Sequence, residues 1–167
     1  MTPDYLDMIR VVMSLYVDAD LAGDVMPMKS TDGYAVVLFG ALVCWLSKLQ
    51  STVATSTAHA ETNAATEGVK QIMHLRLLLC ELGFPQLDPT KVYEDNSAAI
   101  AMVHGENAKR AKHFQLKLHF LREQRERGEF EYVKVATKEQ LADVFTKALP
   151  YTEFDKFRTW MGVCPPA

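Results

Sequence analysis

The chain has 167 residues, the size of one domain. Its 49% hydrophobic and 23% charged residues are ordinary globular proportions that exclude wholesale disorder. A formal net charge of −3 excludes nucleic-acid binding by bulk positive charge, though not by a local basic surface.

Taken in chain order, Asp4 and Asp7 stand where a signal peptide would carry positive charge. No stretch approaches the roughly 20 apolar residues of a membrane helix. Residues Val11 to Asp18 are apolar and β-prone and read as a first strand with Asp18 at its end. The stretch Ala22 to Asp32 contains Gly23, Pro27 and Asp32 and reads as a connection. Gly33 to Leu38 and Ala41 to Ser47 read as two further strands of a meander around Gly40. From about Ser56 to Leu82, apolar positions recur at Ala65, Gly68, Ile72, Leu75 and Leu79, which is helical spacing. Ser56 or Thr57 can cap this helix, and Gly83 followed by Pro85 ends it.

Lys91 to Glu94 reads as a fourth strand, Asn96 to Val103 as a short helix and His113 to Arg127 as a long one. Glu129 to Val135 reads as a fifth strand. Lys138 to Leu149 and Thr152 to Met161 read as closing helices around Pro150. Three meandering strands, then strands reached through helices, predict an α/β fold: a mixed five-stranded sheet flanked by helices. Residues 1–167 are read as one domain, with 1–10 and 164–167 as peripheral tails. Trp45, Phe154, Phe157 and Trp160 are expected in the core. Cys44, Cys80 and Cys164 lack metal-type spacing, so they are expected to be reduced thiols used in packing, in an intracellular setting.

Four acids invite a chemical reading. Glu61 lies in register with the apolar stripe of the long helix, so the helix aims a carboxylate along its core-facing side. A buried carboxylate is costly unless it is paired, protonated or bound to metal. The alternative is a first-turn acid favoured by the helix dipole. Asp18 and Asp95 each follow a strand-like run, and Asp is a poor strand residue. Each can be a turn-former, or both can gather with Glu61 at one edge of a sheet, where α/β folds bind ligands. Asp143 shares its helical face with Gln140 and Lys147, and by spacing alone it is a solvated residue. Such oxygen ligands suit hard divalent cations, and a pair of such ions suits phosphodiester cleavage. No Cys/His zinc set or nucleotide-binding glycine loop competes.

Ordered motifs carry the reading further. They begin with Tyr16-Val17-Asp18-Ala19-Asp20-Leu21-Ala22-Gly23-Asp24, Ser30-Thr31-Asp32-Gly33-Tyr34 and Trp45-Leu46-Ser47-Lys48-Leu49-Gln50. Ser56-Thr57-Ala58-His59-Ala60-Glu61 and Tyr93-Glu94-Asp95-Asn96-Ser97-Ala98-Ala99-Ile100 follow. Lys112-His113, His119-Phe120-Leu121-Arg122-Glu123 and the run from Glu139 to Leu149 complete the series. From Tyr16 to Val163 the chain resembles the ribonuclease H domain of copia-type LTR retrotransposons.

The resemblance implies a ribonuclease H-like fold and assigns Asp18, Glu61, Asp95 and Asp143 as catalytic residues and metal ligands. They would hold two Mg2+ ions, with Mn2+ able to substitute, for hydrolysis of the RNA strand of an RNA–DNA hybrid. The partners it implies are the hybrid and a reverse transcriptase domain of a parent polyprotein, with no membrane. The setting it implies is cytoplasmic, within a virus-like particle for a retrotransposon product. Ser56, Thr57, Asn96 and Ser97 would bond minor-groove groups and ribose hydroxyls. By charge alone, the stretch Lys109, Arg110, Lys112 and His113 reads either as a contact to backbone phosphates or as a solvated basic loop. No histidine lies between Val135 and Gln140, where ribonucleases H of cellular type carry one and retrotransposon domains often do not; the chain departs from the family where His59 and Thr62 replace a Glu and a Tyr, and where Gln115 replaces an Asp. The competing function classes are a non-catalytic hybrid-binding scaffold and another nuclease of the same fold.

Overall fold

The computed structural model describes residues 12–24, 26, 28–105 and 114–164. Strands β1 (Met13–Asp24), β2 (Lys29–Leu38) and β3 (Ala41–Leu49) form an antiparallel meander. Strands β4 (Thr90–Glu94) and β5 (Phe130–Lys134) add in parallel, giving the sheet order β3-β2-β1-β4-β5. Tight connections suffice for antiparallel neighbours, whereas parallel addition needs a crossover. Helix α1 (Thr57–Glu81) supplies the crossover before β4, and α2 (Ser97–Val103) with α3 (Gln115–Glu126) supplies the one before β5. Helix α4 (Tyr151–Trp160) closes the chain. The α/β architecture with a mixed five-stranded sheet is the one expected.

Strand β1 lies at the centre of the sheet, and its alternation divides the core. Leu15 and Val17, fully buried, pack with Val36, Val92 and the Val69–Ile72 stripe of α1, joined by Leu118 and Leu121 of α3. Helix α1 crosses β1 closely at Gly68, where a Cβ would stand 3.0 Å from both Leu15 and Val17. Tyr16, pointing the other way, packs against the cluster of Leu141, Phe157 and Met161. Helix α1 starts where Ser56 accepts a hydrogen bond from the His59 amide at 3.2 Å, and Gly83, at φ +88°, follows its end.

Several expectations are corrected. The stretch Ala22 to Asp32 is mostly strand: β1 runs on to Asp24 and β2 resumes at Lys29, with a register shift between Asp20 and Asp24. Ala22 takes a left-handed φ of 52° there, so an irregularity absorbs Gly23 without ending the pairing. Asp18 therefore lies within β1, opposite Gly33, and not at its end. Lys138 to Leu149 is not an α-helix but two short 3-10 turns, Thr137–Glu139 and Leu141–Phe145. The fully buried Gln140 between them donates to Val17 O at 2.9 Å and Tyr93 O at 3.4 Å, which ties this segment to the sheet in place of helical continuation.

Phe157 is core, but Trp45 is 60% exposed on the edge strand β3, and Phe154 and Trp160 are also exposed. Cys44 is half-buried against the core, while Cys80 and Cys164 are exposed, so only Cys44 packs as expected. Among the described residues no helix is long and apolar enough to cross a membrane.

Candidate active site

Sheet register builds the first half of the site. β1 and β4 are parallel neighbours with Tyr16 opposite Tyr93, so two residues further on Asp18 and Asp95 emerge side by side. The second half comes from α1. Its N-terminal part is lined by small residues, Ala60 and Ala64, which pack on Ala19 and Ala54 and bring the helix close to β1. Glu61 therefore reaches the same point. One oxygen from each of Asp18, Glu61 and Asp95 lies within 4.8 Å of the others. They open onto a cleft that Thr57, Asn96, Ser97 and Lys147 also line.

Electrostatics in this cluster are severe. Glu61 is 3% exposed and its Oε2 has no hydrogen-bond partner. Burial first, then Glu94, Asp18 and Asp95, push its carboxyl up to about 11, with Lys147 opposing. Glu94, entirely buried, is raised to about 8, chiefly by burial; its Oε1 accepts from the Asn96 amide at 2.8 Å and its Oε2 has no partner.

Asp143 sits in the Leu141–Phe145 turn and is joined to the other acids through Lys147. The Lys147 ammonium lies 2.9 Å from Asp143 Oδ1 and 3.6 Å from Asp18 Oδ2. Burial raises the Asp143 carboxyl to about 7 against the lowering effect of Lys147. Burial alone would lower Lys147, but Asp18 and Asp143 outweigh it and hold the ammonium above its ordinary range. Thr146 Oγ1 donates a hydrogen bond to Asp18 Oδ2.

The expected substrate residues divide into three groups. Thr57, Asn96 and Ser97 line the cleft, with Asn96 also capping α2 through bonds from the Ala98 and Ala99 amides. Ser56 is exposed and caps α1. Lys109, Arg110, Lys112 and His113 lie outside the described residues. The replaced family position His59 is buried; its ring stacks on Phe114 with centroids 4.5 Å apart and accepts from the Thr55 amide at 3.2 Å.

Sequence reasoning missed Glu94, Thr146 and Lys147. A signal existed for Glu94, which shares the inward face of β4 with Thr90 and Val92 by strict alternation. Lys147 was visible only as a neighbour sharing the helical face of Asp143, and it was Asp143 that read as solvated by spacing alone.

No family model matches the chain. The Pol polyprotein of transposon TNT 1-94 from Nicotiana tabacum is 36% identical over 157 residues, which is 91% of this chain and 11% of that protein. The chain spans about a tenth of the length of the curated relatives it matches. Among solved structures, LC11-RNase H1 in complex with an RNA/DNA hybrid superposes with a TM-score of 0.61 at 14% identity, over 80% of this chain and 93% of that one. The protease–reverse transcriptase of prototype foamy virus gives a TM-score of 0.51 at 12% identity, over 99% of this chain and 22% of that one. At such identities the structures speak for the fold, while the polyproteins speak for the lineage. The chain thus belongs to the ribonuclease H domains of copia-type LTR retrotransposon Pol polyproteins.

Proposed function

We propose that the chain is an endonuclease that hydrolyses the RNA strand of RNA–DNA hybrids, with divalent metal held by Asp18, Glu61 and Asp95 and with Asp143 completing the acidic set. The observation that carries this reading is the buried carboxylate of Glu61, whose Oε2 has no hydrogen-bond partner and one of whose oxygens lies within 4.8 Å of oxygens of Asp18 and Asp95. A group so placed is unfavourable as an anion unless a cation joins it. Three carboxylates on rigid elements, with no sulfur or imidazole in the set, suit Mg2+, and Mn2+ by the same donor chemistry. When bound, such ions supply an activated water and neutralise charge on the phosphate and the departing oxygen.

The chain's own groups supply the rest. β1 and β4 set the spacing of Asp18 and Asp95, and Thr146 fixes the rotamer of Asp18 through its hydroxyl. Thr57 and Ser97 line the cleft with the acids, and their hydroxyls are the groups to meet ribose 2′-hydroxyls, which tell RNA from DNA. Lys109, Arg110, Lys112 and His113 provide the phosphate contacts, and Ser56 joins Thr57 at the rim. In the parent polyprotein, a reverse transcriptase domain would supply the hybrid, inside the cell. Residues 1–167 act as one domain.

The test is incubation with Mg2+ and labelled hybrid, double-stranded RNA and double-stranded DNA. We expect cleavage of the RNA strand of the hybrid alone, and a decrease of at least a hundredfold in rate for Glu61→Gln. Hybrid binding without cleavage would replace the enzyme by a scaffold, and near-normal cleavage by Glu61→Gln would remove the metal assignment.

A further inference from the structure

Lys147 stands inside the acidic cluster, and nothing in the reading above uses it. Its ammonium lies between Asp143 Oδ1, at 2.9 Å, and Asp18 Oδ2, at 3.6 Å. Its backbone is anchored by two bonds. The Lys147 amide bonds Asp143 O at 3.1 Å, and the preceding Thr146 is bonded to Asp18. The acids are thereby divided. Asp18, Glu61 and Asp95 each bring one oxygen within 4.8 Å of the others, while Asp143 is not part of that convergence and turns an oxygen to the ammonium.

We propose that Lys147 is an internal counter-ion occupying the second cation position of the site. The chain then binds one divalent ion tightly at Asp18, Glu61 and Asp95, and a second, between Asp18 and Asp143, only by displacing the lysine. This rests on the metal-dependent reading given above.

The geometry supports both halves. Oxygen ligands approach Mg2+ to about 2.1 Å, so an ion shared by Asp18 and Asp143 would take the space the ammonium holds, and two cations cannot share it. Displacement is nevertheless open to the side chain. Lys147 is 37% exposed, and its ammonium meets Asp143 Oδ1 as an ion pair at 2.9 Å. The ammonium is held by charge on a flexible four-carbon stem that can swing into the cleft it lines. In the metal-free chain Lys147 offsets the mutual repulsion of Asp18 and Asp143, a compensation that four unpaired acids would lack.

The experiment is Mn2+ titration of the intact chain, with bound ions counted by electron paramagnetic resonance and affinities measured by calorimetry. Wild type should bind one ion tightly and a second at least tenfold more weakly. Lys147→Met, which keeps the stem and removes the charge, should tighten the second ion at least tenfold, and Lys147→Arg should not. Should Lys147→Met fail to fold, the wild-type ammonium resonance of Lys147 serves instead. It should move in a Mg2+ titration only over the range of the second ion. Two ions of equal affinity in wild type, an unchanged second affinity in Lys147→Met, or a resonance that moves with the first ion each overturn the proposal while leaving the metal site standing. Absence of Mn2+ binding in every protein would remove the metal site and this proposal together.

Discussion

Asp32 shows how much a single buried acid can cost this fold. It is 7% exposed on β2, where Gln50 donates to it and also to Ala60 O at 3.1 Å. Asn63 donates to Gln50 at 2.8 Å, and Lys117 donates to Asn63 at 2.8 Å, so the network ties the sheet to α1 and α3. Burial outweighs the help of Gln50 and Lys117 and raises the Asp32 carboxyl to about 6. A folded value above the unfolded one means the group favours the fold when protonated. Its penalty is absent below the unfolded value, grows as pH rises through both, and is constant above about pH 6. A shift of this size corresponds to about 3 kcal/mol at most. Asp32→Asn keeps an acceptor for Gln50, so it should gain stability over wild type at pH 7.5 by up to that amount, with little difference at pH 4. Urea unfolding of both proteins at the two pH values measures this, and a pH-independent difference would show that burial of Asp32 is not penalised.

At the scale of elements, the packing of the Leu141–Phe145 turn on β2 decides whether the fourth acid and Lys147 reach the site. Gly33 lies opposite Asp18 in the sheet, and the turn rests directly on it. A Cβ there would stand 2.4 Å from Thr146 Cγ2 and 3.1 Å from Ala142 O. The Thr146 methyl has to move most and its rotamer is tied to Asp18, while the Ala142 carbonyl has to give slightly, so Gly33→Ala should displace Thr146 and break the Thr146–Asp18 bond. Overpacking of this kind costs about 1–3 kcal/mol. Misplacement of about 1 Å near a reacting centre costs up to a hundredfold in rate. We therefore expect reduced stability together with at least tenfold slower hybrid cleavage, read by thermal melting and single-turnover assay. Wild-type rates in a destabilised protein would show that the turn does not position the acids.

Under the proposed function the whole molecule holds a polyanion with a net charge of −3. Local charge therefore has to do what total charge cannot, and the basic stretch Lys109, Arg110 and Lys112 is where we place it. Removing one lysine or arginine from a phosphate lowers the slope of log affinity against log salt by roughly 0.9. Replacing all three by Ala should thus flatten the slope for hybrid binding by about two to three units. It should raise KM more than it lowers kcat. An unchanged slope would return these residues to solvent.

What the sequence determined by itself follows from periodicity and order. The 3.6-residue stripe of α1, the period-two strands and the placing of helices before β4 and β5 were enough for the mixed sheet, because each is a local pattern that one face must bury. The same stripe made Glu61 legible, since it stood in register with Ile72 and Leu79, both buried. Local pattern was insufficient where partners lie far along the chain. Gln140 is bonded to Val17 and Tyr93, Thr146 to Asp18, and Lys147 to Asp18, across more than forty residues in every case. These bonds turned a helix-like run into 3-10 turns and placed a lysine among the acids. They depend on which surfaces meet after the sheet has formed, so only the tertiary structure decided them.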